Sequence, residues 1–358
     1  MNKLLISVGT IRSKVRQRIS LSNPIGKKIR LEYPTRLEAM ALDSSRIALR
    51  KDAVYTAGQI NFKIASFRVV EIEIISDSGA EVSLDSSVKR PALVRHSVAL
   101  MRNALGFQHS IKVSCHSDTD LRHCGFGSSS NTIASTAFAL NELFGNPLSK
   151  HTLVQYVTEN HGEETDADDN SLVAVQCIGG SATAGVNTGA VWILAGRQDV
   201  ILSAEIDDVY KVVVGIPTDF TYPDARYLME EEVKALPKFI RTGKKFGKEI
   251  AYRLVHEAMP ELSKGQLTAL GTLIFDYRFN MGSIENCSFV FPRILEIADA
   301  IRQLKSEGTA DILALSSVGP GFFAVTKEVE RCREVFEKQS MKTYVFSLYN
   351  GAYKFEIK

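Results

Sequence analysis

No apolar run in this sequence reaches the length of a membrane span. The short apolar stretch Leu4-Leu5-Ile6-Ser7-Val8-Gly9 is interrupted by Arg12 and Lys14 before any cleavage-like site, which argues against a signal peptide. Cysteine is scarce: Cys115, Cys124, Cys177, Cys287 and Cys332 are the five in 358 residues, widely spaced and without a C-x-x-C pair. An odd number spaced this way excludes a disulfide framework and fits reduced thiols in a cytosolic setting. Neither sign of charge dominates. With 43 basic and 41 acidic residues, net +2, nucleic acid is not the default partner. Low-complexity tracts are also missing. The expectation is a soluble, cytoplasmic protein with neither membrane nor nucleic acid as partner.

What is present is an ordinary globular balance, 45% hydrophobic and 23% charged. The length fits two lobes or one large α/β unit, with a core that needs no staples. Charge is unevenly placed. Met1 to Lys51 is rich in Lys and Arg and holds only Glu32, Glu38 and Asp43 against them. That stretch reads as a solvated basic edge, or as a source of cations for an anionic ligand.

Period-two alternation predicts strands over 60–65 and 67–75, with a turn at Ser76-Asp77-Ser78-Gly79. A helix is expected over 91–105, a strand over 111–116, and helices over 132–143 and 150–160, the last capped by Ser149. An acidic polar loop follows at 162–170, then the small-residue run Gly179-Gly180-Ser181-Ala182-Thr183-Ala184-Gly185. Asp207-Asp208 marks a boundary. Beyond it a buried strand at 209–217 precedes helices over 225–236, 247–259, 263–280 and 294–307. Strands at 312–315, 322–325 and 343–348 and a helix over 328–338 complete the set. Elements mixed this way point to α+β lobes rather than an alternating parallel sheet.

The strongest local signal is Gly125-Phe126-Gly127-Ser128-Ser129-Ser130-Asn131, a glycine-rich turn entering a well-patterned helix. A helix start leaves N–H groups unpaired and carries partial positive charge, so an anion is favoured there. Glycines let the backbone approach it, and the serine hydroxyls add donors or ligate a metal that bridges phosphates. No Lys sits where a Walker A loop needs one, and the third glycine of a dinucleotide fingerprint is replaced by Ser130. Cys124, just before the loop, reads as a small buried residue rather than a nucleophile.

Three segments together resemble the GHMP superfamily. Tyr33-Pro34-Thr35-Arg36-Leu37-Glu38-Ala39-Met40-Ala41-Leu42-Asp43 is similar to its first motif, Gly125 to Asn131 to its phosphate loop, and Ser316-Ser317-Val318-Gly319-Pro320-Gly321-Phe322-Phe323-Ala324 to its third. The resemblance implies an α+β, GHMP-type two-lobe fold. Residues 1–27 would be a basic N-terminal extension, 28–206 a ribosomal protein S5 domain 2-like lobe that binds phosphate, and 207–358 a ferredoxin-like lobe. Within the superfamily, Thr35-Arg36-Leu37 with Asp43, and Asn131 at the end of the loop, resemble the β-ribofuranosylaminobenzene 5′-phosphate synthases. These are transferases that join phosphoribosyl pyrophosphate to an aminoaryl or heteroaryl carboxylate with loss of CO₂ and pyrophosphate. The chain departs from that pattern at Glu38, where the synthases have His. The acidic Asp166-Ala167-Asp168-Asp169-Asn170 with Gly179-Gly180 is closer to homoserine-kinase-like members, for which the donor would be ATP.

The roles follow from the resemblance. Gly125, Gly127, Ser128, Ser129, Ser130 and Asn131 would hold the phosphates of phosphoribosyl pyrophosphate or ATP. Asp168, Asp169 and Ser129 would ligate Mg²⁺, whose hard charge offsets that of the leaving group. Arg36, whose fork matches carboxylate or phosphate, would act with Asp43 in catalysis, as would Asp169, the base of the kinase alternative. Glu38, His123, Gly319, Pro320 and Gly321 would contact a small-molecule acceptor. A homodimer is left open, as is a non-catalytic ligand-binding protein on the same fold.

Overall fold

The computed structural model describes residues 5–17, 19, 24–47, 55–119, 121–165 and 171–358. The first lobe runs β1 (Leu5–Ser7), β2 (Lys28–Ala41), β3 (Gln59–Gly79), β4 (Val82–Leu84), α1 (Pro91–Leu105), β5 (His109–Ser117), α2 (Ser128–Leu143), α3 (Lys150–Glu159), β6 (Gly162–Glu164), β7 (Ser171–Ala174), α4 (Gly180–Ala184), β8 (Val191–Ala195) and β9 (Asp199–Ala204). The rest of the chain adds β10 (Lys211–Pro217), α5 (Ala225–Arg253), α6 (Met259–Leu262), α7 (Thr268–Phe275), α8 (Ser283–Asn286), α9 (Ile294–Ile301), α10 (Gln303–Ser306), β11 (Ile312–Leu315), β12 (Phe322–Thr326), α11 (Val329–Lys338), β13 (Met341–Ser347) and β14 (Lys354–Ile357). The architecture is α+β, as the mixed pattern of elements predicts. Among the described residues no helix is long and apolar enough to cross a membrane.

A seven-stranded sheet in the order β14-β2-β3-β5-β4, with β8 and β9 joined through β3, forms the floor of the first lobe. The second lobe has an antiparallel sheet in the order β11-β12-β10-β13. Strand β2 shows why the lobes meet where they do. Its first half alternates, with Ile29, Leu31 and Tyr33 buried between more exposed polar neighbours. From Tyr33 to Ala41 every residue is buried, because Leu37 and Ala39 join a cluster with Val212, Val214, Ala314 and Phe323 of the second lobe. A strand covered on both faces loses its polar face. Register shifts against β3 at Pro34/Thr35 and Glu38/Met40 flank Arg36 and Glu38. Such irregularities re-aim side chains.

Helix α2 is buried on all sides, with Ile133, Ala134, Ala137, Phe138 and Leu140 in the first core. Small side chains let α1 and β2 pack close to it.

Four expectations need correction. The segment before residue 28 is more than a basic extension. β1 pairs with β7, Gly9 N–H donates to His96 Nδ1 (2.9 Å), and Gln17 N–H donates to the Ala104 carbonyl (2.7 Å). Nor is 207–358 confined to the second lobe, because β14 pairs with β2 in the first lobe's sheet. The separate helices expected over 225–236 and 247–259 merge into α5, which runs through Pro237. The strands expected over 60–65 and 67–75 likewise merge into β3.

Lys63 of β3 is fully buried. Its Nζ donates to the carbonyls of Asn187 (2.6 Å) and Gly351 (2.8 Å) and faces the rings of Trp192 and Tyr349. Burial pulls its pKa down to about 7. In the unfolded chain the amine keeps its proton to about pH 10. Between those values the unfolded state binds the extra proton, so stability rises with pH. We expect the stability difference between wild type and Lys63→Met to move in the wild type's favour by about 1.4 kcal/mol per pH unit across that window. Denaturant unfolding at several pH values checks this; a flat difference would show that Lys63 does not titrate there.

Candidate functional site

Gly125 (φ +88°) and Gly127 (φ +61°) both adopt the left-handed region, and Gly127 is the N-cap of α2. Neighbours require glycine at both places. A Cβ on Gly125 would lie 2.4 Å from the Ser316 carbonyl oxygen, and one on Gly127 would lie 2.4 Å from Ser181 Oγ and 2.9 Å from the Arg36 guanidinium. No side chain caps α2, and its first turn carries no acidic residue. The first helical bond runs from Asn131 N–H to the Gly127 carbonyl (2.9 Å), so the N–H groups of Ser128, Ser129 and Ser130 have no intrahelical acceptor.

The loop is held from both lobes. The Gly125 carbonyl accepts from Arg36 Nη1 (3.1 Å) and from Ser316 Oγ (2.8 Å). Ser316 Oγ in turn accepts from Glu38 N–H (3.1 Å), and Ser317 N–H donates to the Glu38 carbonyl (3.0 Å). Arg36 and Glu38, two residues apart on β2, point to the same side and lie 3.8 Å apart. Each is 8% exposed, and Arg36 Nε has no hydrogen-bond partner among the described residues.

Beneath the serines lies an ion cluster. Buried Arg90 donates to Glu163 (2.6 Å), Glu164 (3.0 Å), Ser129 Oγ and Ser128 Oγ (3.3 Å), while Ser129 Oγ donates to Glu163. Burial would raise the Glu163 carboxyl, but Arg90, with His123 and His161 adding, holds it below the ordinary carboxylate value. His161, buried beside the cluster, is pulled down to about 4 by burial and stays neutral near pH 7. Burial pushes the Cys124 thiol up to about 11, which suits a packing role.

These groups open onto a cavity of about 540 Å³ between the lobes. Of the residues singled out in the sequence, Arg36, Glu38, His123, Gly125, Gly127, Ser128, Ser129, Ser130 and Gly319 line it. Asn131 does not. Its Nδ2 donates to the Pro34 carbonyl (2.9 Å) and its Oδ1 accepts from Arg68 Nε (3.1 Å), tying α2 to β2 and β3. Asp43 is also elsewhere, accepting from Ser45 N–H (3.0 Å) and Ser45 Oγ (2.6 Å) at the short turn after β2. Pro320 does not line the cavity, and Gly321 packs on the Cys124 carbonyl, where a Cβ would come within 2.5 Å. Asp168 and Asp169 lie outside the described residues. Sequence reasoning missed Gln59, Glu163, Gln176, Glu232 and Arg278 of the lining. Arg278 offered no local signal. It is buried because its guanidinium reaches the carbonyls of Ala39 and Glu38 in the other lobe.

The donor set bears on Mg²⁺. Among the described residues no group of three or more His, Cys, Asp or Glu could hold a metal. Ser129 is already engaged by Arg90 and Glu163. Ser128 Oγ accepts a longer bond from Arg90 (3.3 Å) and Ser130 Oγ lies 3.5 Å from Cys177 Sγ, so these two hydroxyls could give an ion only a minority of its ligands.

Two substitutions test this architecture. Gly125→Ala forces a Cβ into backbone at positive φ and is expected to cost about 2–4 kcal/mol. Arg90→Met leaves the carboxyls of Glu163 and Glu164 without their cation and is expected to cost about 2–4 kcal/mol. Urea unfolding reads both; losses within about 0.5 kcal/mol, the range of ordinary surface changes, would refute the packing described.

Comparison with known proteins agrees with this geometry. Residues 92–176 match the family described as GHMP kinases N terminal domain, a stretch that contains the loop and α2. No curated protein matches the chain significantly. Among solved structures, the chain is similar to homoserine kinase from Cytophaga hutchinsonii at 13% identity and TM-score 0.62, covering 94% of this chain and 100% of that one. It is similar to mevalonate diphosphate decarboxylase from Staphylococcus aureus at 12% identity and TM-score 0.64, with 92% and 98% covered. It is also similar to L. major mevalonate kinase, solved in complex with R-mevalonate, at 14% identity and TM-score 0.60, with 93% and 100% covered. Residues 92–176 thus match the GHMP kinase N-terminal domain model, and the chain as a whole has a GHMP-type two-lobe α+β fold.

Proposed function

We propose that the protein is an ATP-dependent phosphotransferase acting on a small-molecule acceptor. The observation that carries this reading is the uncapped start of α2, which opens with its glycine loop onto an interlobe cavity of about 540 Å³. That volume accommodates donor phosphates and an acceptor together. Phosphoryl transfer needs mainly positioning and charge stabilisation. The N–H groups of Ser128 to Ser130 would hold phosphate oxygens, and Arg36 Nε, which lacks a partner among the described residues, would donate to another. A second cavity of about 110 Å³ meets the first at Ser128 and is lined by Arg68, Lys89, Arg90, His116 and Arg122, a cationic surround suited to the donor's remaining phosphates. Mg²⁺ arriving with the nucleotide would neutralise the oxygens that gain charge as ADP leaves. Asp168 and Asp169 are proposed to serve the metal and the acceptor hydroxyl. The word kinase in the descriptions of two of these relatives favours this reading over phosphoribosyl transfer, which would use the same cradle.

Thermal unfolding with Mg²⁺ and either ATP or phosphoribosyl pyrophosphate separates the two. ATP should raise Tm, and Arg36→Met should lower kcat/KM for ATP by about 100-fold. Pyrophosphate and CO₂ release from phosphoribosyl pyrophosphate and an aminoaryl carboxylate would replace phosphotransfer with glycosyl transfer. ATP binding without turnover on any acceptor would make the chain a ligand-binding protein.

A further inference from the structure

The main cavity changes character from one end to the other. At the loop it offers donors: the N–H groups of α2, the serine hydroxyls and Arg36. Away from the loop its wall is apolar, formed by Leu228, Met229, Val233 and Leu236 of α5 with Phe289 and Val290. Glu232 stands in that wall and makes no hydrogen bond or ion pair with any described residue. The other carboxylates that line the cavity have cations: Glu38 has Arg36 and Glu163 has Arg90.

Among the described residues no cation forms an ion pair with Glu232. On its own helix, Lys234 is engaged by Glu231. From β2, Glu38 adds like charge. Arg278 turns its donors to the carbonyls of Ala39 and Glu38 and to Ser283 Oγ. Tyr277 is held neutral by burial, and the Cys287 thiol, beside α8, is pushed up to about 12. Burial first, and Glu38 second, raise the Glu232 carboxyl to about 7. A second and independent feature points the same way. Gln176 lines the cavity and leaves its buried Oε1 without a hydrogen-bond donor among the described residues, while its Nε2 donates to the Arg46 carbonyl in the turn that packs on α5. At this end Glu232 and Gln176 are acceptors that no donor among the described residues satisfies, beside an apolar wall.

We propose that the acceptor carries a protonated amine on an apolar or aromatic body, with the ammonium held by Glu232 and Glu38 and the body lying against α5. An ammonium supplies both the charge and the N–H donors that this end lacks. An anionic acceptor would meet two carboxylates there. A divalent metal would find only those two carboxylates, and among the described residues no larger ligating group exists. The inference rests on the phosphotransfer reading only in taking the bound amine to be the molecule that is phosphorylated.

Three shape-matched probes test it on the full chain by calorimetry without nucleotide: 2-amino-3-phenylpropan-1-ol, 3-phenylpropane-1,2-diol and 3-phenyllactate. The amine should bind about 10-fold or more tighter than the diol, and the lactate weakest. The amine's advantage should grow about 10-fold between about pH 6 and pH 8, as Glu232 loses its proton while the amine stays charged. Glu232→Gln should abolish both the preference and its pH dependence without lowering the unfolding midpoint, and Glu232→Asp should keep part of each. Equal or tighter binding of the diol or the lactate would overturn the proposal. So would a preference that survives in Glu232→Gln, or Mn²⁺ without nucleotide binding at Glu232 in competition with the amine. Loss of the ATP-induced Tm shift with the amine preference intact would remove phosphotransfer and leave the amine site standing; the reverse pattern would remove only the amine site.

Discussion

One backbone oxygen joins the three motifs that stand far apart in this sequence. The Gly125 carbonyl accepts from Arg36 of β2 and from Ser316 of the second lobe, and the backbone around Ser316 and Ser317 is bonded back to Glu38. Each link demands something of its neighbours. Gly125 and Gly127 have no room for a Cβ, Gly321 must pass close to the Cys124 carbonyl, and Ser316 needs a hydroxyl of the right length. The interlobe cavity is positioned by this junction, so its geometry depends on both lobes at once.

Charge is sorted around the junction. Arg90 sits below the first turn of α2 and is matched by Glu163 and Glu164, so the serines are oriented by a fixed cation and its partners. Arg36 keeps an unused donor toward the cavity, and Glu232 keeps an unused acceptor at the far end. A site with surplus donors at one end and surplus acceptors at the other suits a ligand pair with anionic and cationic parts. Among the described residues neither surplus is compensated.

Much of this was legible in the sequence where the cause is local. Glycines flanking Phe126, serines behind them and a regular apolar pattern announce a loop entering a helix, and the structure has α2 beginning at Ser128. The motif around Arg36 and the turn at Gly319 are local in the same way. What escaped depends on contacts between distant residues. Asn131 ends the loop, so its amide looked available to a ligand, yet Pro34 and Arg68 take up its hydrogen bonds. Asp43 stands beside the first motif but serves the turn that follows. β14 is a short, exposed segment at the chain's end whose pairing with β2 no periodicity reveals. Glu232 is one acid among several on α5, and only the packing of that helix over the cavity sets it apart.

The central claim is that the backbone N–H groups at the start of α2 hold phosphate. Amide hydrogen exchange across residues 125–132, with and without Mg²⁺ and ATP, tests it most directly. The account predicts slowed exchange at Ser128, Ser129 and Ser130 on adding the nucleotide, and no such slowing in Gly127→Ala. ATP that protects other segments and leaves these amides unchanged would contradict it.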